Sequence, residues 1–190
     1  MFRLLNLFSI KQFVEPAVCE QILAEMRIAA GSAATVYGAA PSGTIEVNVR
    51  RTLRVRPANE IVKLVTDRLL ACQQEIERHF DVRLTECEEP QFLRYREGDF
   101  FVAHQDGNTG LLRLDSEKRL ISTVIFLSRE SDQAEQNSHS GGSLVFTDRH
   151  LDKLHFTAEP GTLVAFRSET THEVTPVTRG ERFSVASWYR

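Results

Sequence analysis

His104 and Asp106, separated only by Gln105, are the first residues in this chain whose types and spacing point to chemistry. On a strand, residues i and i+2 point to the same face. An imidazole and a carboxylate would then project side by side. Phe100 and Val102 precede them on the same parity, which predicts an apolar inner face ending in His104 and Asp106. Polar groups placed there need a partner, and a divalent cation fits. A His-x-Asp triplet by itself is a weak signal, so the reading needs a third ligand.

Six histidines are available: His79, His104, His139, His150, His155 and His172. His79 falls at the end of a helical pattern, where a cation suits the helix dipole. His139, His150 and His155 lie in polar stretches and are expected to be solvated. His172 differs: it follows an apolar strand, Thr162 to Phe166, through the polar turn Ser168-Glu169-Thr170-Thr171. Two histidines and one aspartate on one face of an ion form a facial triad with open positions opposite, the donor set of non-haem iron(II) sites.

The last strand carries the second constellation. Arg182, Ser184, Ala186 and Trp188 share one face, and Phe183, Val185, Ser187 and Tyr189 the other. The first face aims a guanidinium and a hydroxyl toward the expected cavity. A buried arginine needs an anion, and its planar fork suits bidentate carboxylate binding. A structural salt bridge to Asp or Glu is the alternative.

These groups must be positioned by elements that the sequence also predicts. Pro16 suits a helix start, Val18, Ile22 and Met26 recur every four residues, and Gly31 is expected to end that helix. A second helix is expected from Asn59 to His79, with Ile61, Val65, Leu69, Cys72 and Ile76 on one stripe. Thr44 to Val55 alternates like one or two strands. Further strands are expected at Phe92–Tyr95, Phe100–Asp106, Leu120–Leu127, Ser143–Phe146, Thr162–Phe166 and Arg182–Tyr189. Turn signals separate them at Gly98, Gly141-Gly142 and Pro160-Gly161. Gly38–Gly43, Gly107–Ser116 and Ser128–Ser140 read as polar loops suited to gripping substrate. The fold class is therefore α+β, mainly β: a jelly-roll core, or double-stranded β-helix, with supporting N-terminal helices. Residues 1–190 read as one domain, with supporting helices and outer strands over 1–88 and the core carrying the site over 89–190.

Composition narrows the function classes. The 190 residues are 42% hydrophobic and 26% charged, with a net charge of −3. A dedicated nucleic-acid binder is normally basic, so no nucleic-acid partner is expected. No apolar run approaches the roughly 18 residues of a membrane span, and the stretch through Lys11 lacks the marks of a signal peptide. Cys19, Cys72 and Cys87 are sparse and far apart, which argues against a disulfide framework and favours the cytoplasm.

The stretch Gln91–Arg190 resembles the iron(II)- and 2-oxoglutarate-dependent dioxygenases, in their prolyl 4-hydroxylase-like branch. Phe92-Leu93-Arg94-Tyr95, then Gly98, then His104-x-Asp106 resembles that branch's first motif. His172-Glu173-Val174-x-Pro176-Val177-x-x-Gly180-x-Arg182, with the terminal Trp188, resembles its second. The resemblance implies Fe(II) on His104, Asp106 and His172, with 2-oxoglutarate and O2 as cosubstrates and ascorbate as a reductant. It implies that Arg182 holds the far carboxylate of 2-oxoglutarate, that Ser184 completes an Arg-x-Ser pattern, and that the Tyr95 hydroxyl reaches the cosubstrate; core packing beside Leu93 is the alternative for Tyr95. Phe126 stands where some relatives have a second tyrosine, leaving Ser122 or Thr123 to compensate. The implied reaction hydroxylates an unactivated carbon with release of succinate and CO2. A prolyl residue of a peptide or protein is the expected substrate. A free amino acid or small metabolite is the alternative, and a non-catalytic metal-binding jelly roll is a third reading, disfavoured by Arg182 and Ser184.

Overall fold

Strand pairing decides where the candidate ligands end up. The computed structural model describes residues 5–35, 46–107, 118–133 and 135–190. Among these residues, two helices, α1 (Pro16–Ile28) and α2 (Asn59–Phe80), accompany three sheets. A seven-stranded sheet has the order β1 (Leu7–Ile10), β12 (Leu163–Arg167), β7 (Ile121–Phe126), β15 (Arg182–Tyr189), β5 (Gln91–Tyr95), β4 (Leu53–Val55) and β2 (Gly31–Ala33). A five-stranded sheet has the order β11 (Lys153–Phe156), β10 (Leu144–Thr147), β13 (Thr171–Val174), β6 (Phe100–His104) and β3 (Arg50–Arg51). The third comprises β14 (Val177–Gly180), β9 (Ser138–Gly141) and β8 (Arg129–Glu130). This is a mainly β, double-stranded β-helix architecture with two helices, as expected.

Alternation along the central strands sorts the core. Phe183, Val185 and Tyr189 of β15 pack with Phe92, Ile121, Ile125, Leu163 and Ala165 on the outer face of the large sheet. The stripe Ile61, Val65, Leu69, Cys72 and Ile76 of α2 joins that cluster, as do Ile22, Leu23 and Met26 of α1. Burying each such side chain stabilises the fold by about 1.5–3 kcal/mol. Tyr189 also donates its hydroxyl to the Leu69 carbonyl at 2.7 Å, fastening the last strand to α2. The helices thus back the sheet whose other face carries Arg182. Among the described residues, no helix is long and apolar enough to cross a membrane.

Several elements depart from the sequence reading. Helix α1 stops at Ile28, and Gly31 instead opens β2, paired with Val55. The stretch Ser128–Ser140 contains β8 and most of β9, paired in parallel. Strands β1, β11, β13 and β14 were not expected. Each is four residues long, too short for a periodic signal to stand out. The Gly38–Gly43 loop lies outside the described residues, and so does Gly107–Ser116 apart from Gly107.

The ladder around His104 gives the most consequential correction. His172 pairs with His104, but the next pair is Val174 with Phe101, so β6 holds one extra residue there. A bulge of this kind reverses the facing of residues beyond it. Phe101 therefore lies on the His104 side, its ring stacked on the imidazole with centroids 3.5 Å apart; Val102 also lines the cavity, as expected, whereas Phe100 is not among its lining residues. Strand β6 also ends at His104, so Asp106 is held by the loop that follows and not by the strand.

Candidate active site

His104 and His172 sit opposite each other on β6 and β13, with ring centroids 4.2 Å apart. Asp106 reaches them from the loop because its N–H, and that of Gly107, donate to the Ser168 carbonyl at 2.9 and 3.1 Å. Its Oδ1 lies 3.5 Å from His104 Nε2, and its Oδ2 lies 3.5 Å from His172 Nε2. One ligand atom from each of the three residues falls within 4.8 Å of the others.

The two imidazoles are wired alike. His104 Nδ1 contacts the Val102 carbonyl at 2.8 Å, and His172 Nδ1 contacts the Thr170 carbonyl at 3.0 Å. A carbonyl only accepts, so each Nδ1 carries the proton and each Nε2 keeps a lone pair facing Asp106. Phe166 packs edge-on against His172 at 4.7 Å, so aromatic neighbours fix both rings. Burial pushes the Asp106 carboxyl up, but His172 and His104 outweigh it and hold it well below the usual carboxylate range. Burial, then the neighbouring His104, pushes His172 down to about 4. One anionic oxygen donor and two neutral imidazoles with free Nε2 atoms are a donor set that fits a divalent iron ion.

A cavity of about 410 Å³ lies between the two larger sheets and takes in all three residues. Arg182, Ser184, Ala186 and Trp188 line it from β15, with Leu93 and Tyr95 from β5. The inward face predicted for the last strand is thus the one observed. Arg182 is cross-strand partner to Tyr95, its guanidinium 5.1 Å from the Tyr95 ring centroid. It donates to Ser184 Oγ at 2.7 Å and forms no ion pair with a carboxylate among the described residues, so the structural salt bridge is not what holds it. Burial pushes the Arg182 guanidinium below its ordinary value. Gly142 makes room for it: a Cβ there would come 3.0 Å from Arg182 Cδ, on a backbone with φ of +66°.

His139, expected in solvent, is 3% exposed beside Arg182. The Phe183 N–H donates to Ser128 Oγ at 2.8 Å, and the same hydroxyl lies within hydrogen-bonding distance of His139 Nδ1, at 3.1 Å. Burial first, and the Arg182 charge second, push His139 down to about 3. His150 and His155 are exposed, as expected. Ser122 pairs with Ser168 Oγ at 2.9 Å, while Thr123, which lines the cavity, donates its hydroxyl to the Ser187 carbonyl at 3.0 Å. Sequence reasoning also missed Arg50 and Arg119, which line the cavity. Arg119 binds Glu88 in bidentate fashion at 2.7 and 2.6 Å. No local motif marks either arginine.

The profile of the 2OG-Fe(II) oxygenase superfamily matches residues 90–190. A PKHD-type hydroxylase of Shewanella oneidensis is 36% identical over 104 residues, which cover 52% of this chain and 41% of that protein. A PKHD-type hydroxylase of Burkholderia cenocepacia is 31% identical over 173 residues, covering 87% of this chain and 71% of that one. The chain therefore spans less than half of the first relative and most of the second. Among solved structures, a Pseudomonas putida prolyl-4-hydroxylase superposes with a TM-score of 0.70 at 22% identity, over 97% of this chain and 92% of that one. A Trichoplax adhaerens prolyl hydroxylase, solved with a peptide fragment of the hypoxia inducible factor oxygen degradation domain, gives 0.73 at 14% identity, over 97% and 83%. These two likenesses show the shared fold. The profile over more than half of the chain, together with the Burkholderia relative, shows that this chain belongs to the 2OG-Fe(II) oxygenase superfamily, whose members are oxidoreductases using Fe(II), 2-oxoglutarate and O2.

Proposed function

We propose that this chain is a dioxygenase that hydroxylates a prolyl residue of a peptide or protein and releases succinate and CO2. The observation that carries the reading is one cavity holding both an open His104–Asp106–His172 cluster and a buried Arg182 with no ion-paired carboxylate among the described residues. A structural metal site would be closed and would need no such arginine.

In this reading His104 Nε2, His172 Nε2 and an Asp106 carboxylate oxygen hold Fe(II) on one face. When bound, Fe(II) supplies the redox chemistry by which O2 and 2-oxoglutarate are consumed together. The chain's own part is positioning. The backbone carbonyls of Val102 and Thr170 keep both imidazoles in the ligating tautomer. Arg182 takes the far carboxylate of 2-oxoglutarate, steadied by Ser184, while the Tyr95 ring packs under the guanidinium and its hydroxyl serves the cosubstrate. The apolar walls, Leu93, Leu144, Val174 and Ala186, exclude water around that dicarboxylate.

The prolyl substrate is supported by likeness to prolyl hydroxylases, one of them solved with a peptide. Ascorbate as reductant is carried by the family resemblance alone. A cytoplasmic setting is supported by Cys19, Cys72 and Cys87, all free thiols. One catalytic domain over 1–190 is supported by the helices, whose apolar stripes are used up against the sheet that carries Arg182.

Anaerobic addition of Fe(II) and 2-oxoglutarate should give the weak visible band of the chelate. Admitting O2 with proline-containing peptides should then release succinate. Absence of the band would remove the dioxygenase reading. A band followed by turnover only with free amino acids would remove the peptidyl substrate and leave the rest.

A further inference from the structure

Among the described residues three arginines line the cavity, and one of them has no carboxylate counterpart there. Arg119 has Glu88, held by two hydrogen bonds. Arg182 has its proposed cosubstrate. Arg50, on β3, is 9% exposed and lines the cavity. Its Nη1 donates to the Thr35 carbonyl at 3.2 Å, and its Nε is buried with no hydrogen-bond partner. Among the described residues no carboxylate forms an ion pair with it. An arginine stays charged, and a buried donor left unsatisfied is expensive enough to call for an explanation.

The position is close to the reacting end of the cavity. Arg50 pairs with Phe101 across β3 and β6. Its guanidinium lies 4.7 Å from the Phe101 ring centroid, and that ring stacks directly on His104. Arg50 is thus one aromatic ring away from a proposed iron ligand. It is reached from the side of the cavity lined by Val49 and Val102. By contrast, Arg182 is set between Tyr95 and Phe126 on the opposite sheet.

We propose that Arg50 is the substrate anchor and that the substrate is an anion. It would present a carboxylate to Arg50 and an apolar body to Val49 and Val102. This rests on the proposed function, which it narrows: the target proline is either chain-terminal, with its own carboxylate free, or next to an acidic side chain. A neutral carbonyl would satisfy the orphan Nε but would leave the buried charge unanswered. A carboxylate does both, through a charge-assisted bond about twice as strong as a neutral one. The other role open to Arg50 is a structural one, holding the Thr35 segment through its carbonyl.

Three short probes separate these roles: acetyl-Gly-Pro as the free acid, the same peptide as its amide, and acetyl-Asp-Pro-amide. Binding is read anaerobically on protein saturated with Fe(II) and 2-oxoglutarate, so that Arg182 is already engaged. The fluorescence of the single tryptophan, Trp188, which lines the cavity, reports occupancy. At least one anionic probe should bind 10-fold or more tightly than the neutral amide; which one does so distinguishes a terminal from a side-chain carboxylate. In Arg50→Gln that preference should vanish, and in Arg50→Lys it should survive in reduced form. The visible chelate band should persist in both variants. A purely structural role would weaken all probes equally and leave their ratio unchanged. Equal binding of all three to the wild type, no binding of any, or an unchanged ratio in Arg50→Gln would each overturn the proposal. Loss of the chelate band in the wild type would instead overturn the dioxygenase reading beneath it.

Discussion

His104 and His172 are direct partners across β6 and β13, and the extra residue in β6 just before His104 makes the pair useful. The bulge brings Phe101 under the His104 ring, and the strand ends there, freeing the loop to bring Asp106 to within 3.5 Å of both imidazoles. Neither imidazole has another carboxylate against it among the described residues. Asp106→Ala should therefore lower affinity for Fe(II), or for Co(II) used as a spectroscopic stand-in, by more than the 10–100-fold typical of losing an outer partner. Metal titration followed by absorbance checks this, and an affinity within about threefold of wild type would remove Asp106 from the ligand set.

Arg182 should govern 2-oxoglutarate and leave the metal alone. It is buried, and its guanidinium has only Ser184 Oγ as a protein hydrogen-bond partner among the described residues. Losing a charge-assisted contact in such a place costs roughly 2–5 kcal/mol. Arg182→Ala should weaken 2-oxoglutarate binding by about 30-fold or more, since each ~1.4 kcal/mol is a factor of ten. Arg182→Lys should be milder, because the charge stays while the second hydrogen bond goes. Titration of the cosubstrate into iron-loaded variants reads this directly; wild-type affinity in Arg182→Ala would place the carboxylate anchor elsewhere.

The parts of this site legible in the sequence are those with a local period or a short spacing. The α2 stripe from Ile61 to Ile76 and the alternation from Arg182 to Tyr189 each report their own burial, because one face of each is apolar or specially substituted. The facing of Phe100 and Phe101 was not legible, since a bulge is set by the partner strand and has no mark in β6 itself. His139 read as solvated for a similar reason. Its flanking residues are polar, and what it packs beside is Arg182, distant in sequence, and Ser128 at the other end of the same polar stretch. Arg50 and Arg119 became visible only when the cavity brought them to His104 and Trp188.

Glu88 should matter to stability more than an ordinary surface acid. It receives both Arg119 hydrogen bonds and accepts from Arg190 at 3.1 and 3.0 Å. Arg119 lies over the Trp188 ring, 3.8 Å from its centroid, with little solvent access. Removing one partner of a buried pair strands the other, at a cost of about 3–5 kcal/mol. Glu88→Ala should show that loss in urea unfolding followed by Trp188 emission, and Glu88→Gln less of it. A loss below about 1 kcal/mol would put the pair in the range of exposed surface bridges.

His139 should give the fold a specific dependence on pH. Folded, it is held at about 3 against an ordinary value of 6.5, by burial first and by the Arg182 charge second. Between those values the unfolded chain binds a proton at His139 that the folded chain refuses. Stability therefore rises with pH through that window, is complete above the unfolded value, and falls as the solution is acidified below it. At pH 5 the group lies about 1.5 units below its unfolded value, which at ~1.4 kcal/mol per unit corresponds to about 2 kcal/mol. Other groups titrate over the same range, so the comparison must be with a variant that keeps the Ser128 contact. His139→Gln retains an acceptor for that hydroxyl and cannot ionise. Between pH 7.5 and pH 5, wild type should lose about 2 kcal/mol more than His139→Gln in urea unfolding. In an Arg182→Ala background the difference should shrink without vanishing, because burial, the larger cause, remains. Parallel pH profiles for wild type and His139→Gln would mean that His139 takes up its proton in the folded protein, and that Arg182 tolerates a second cation beside it.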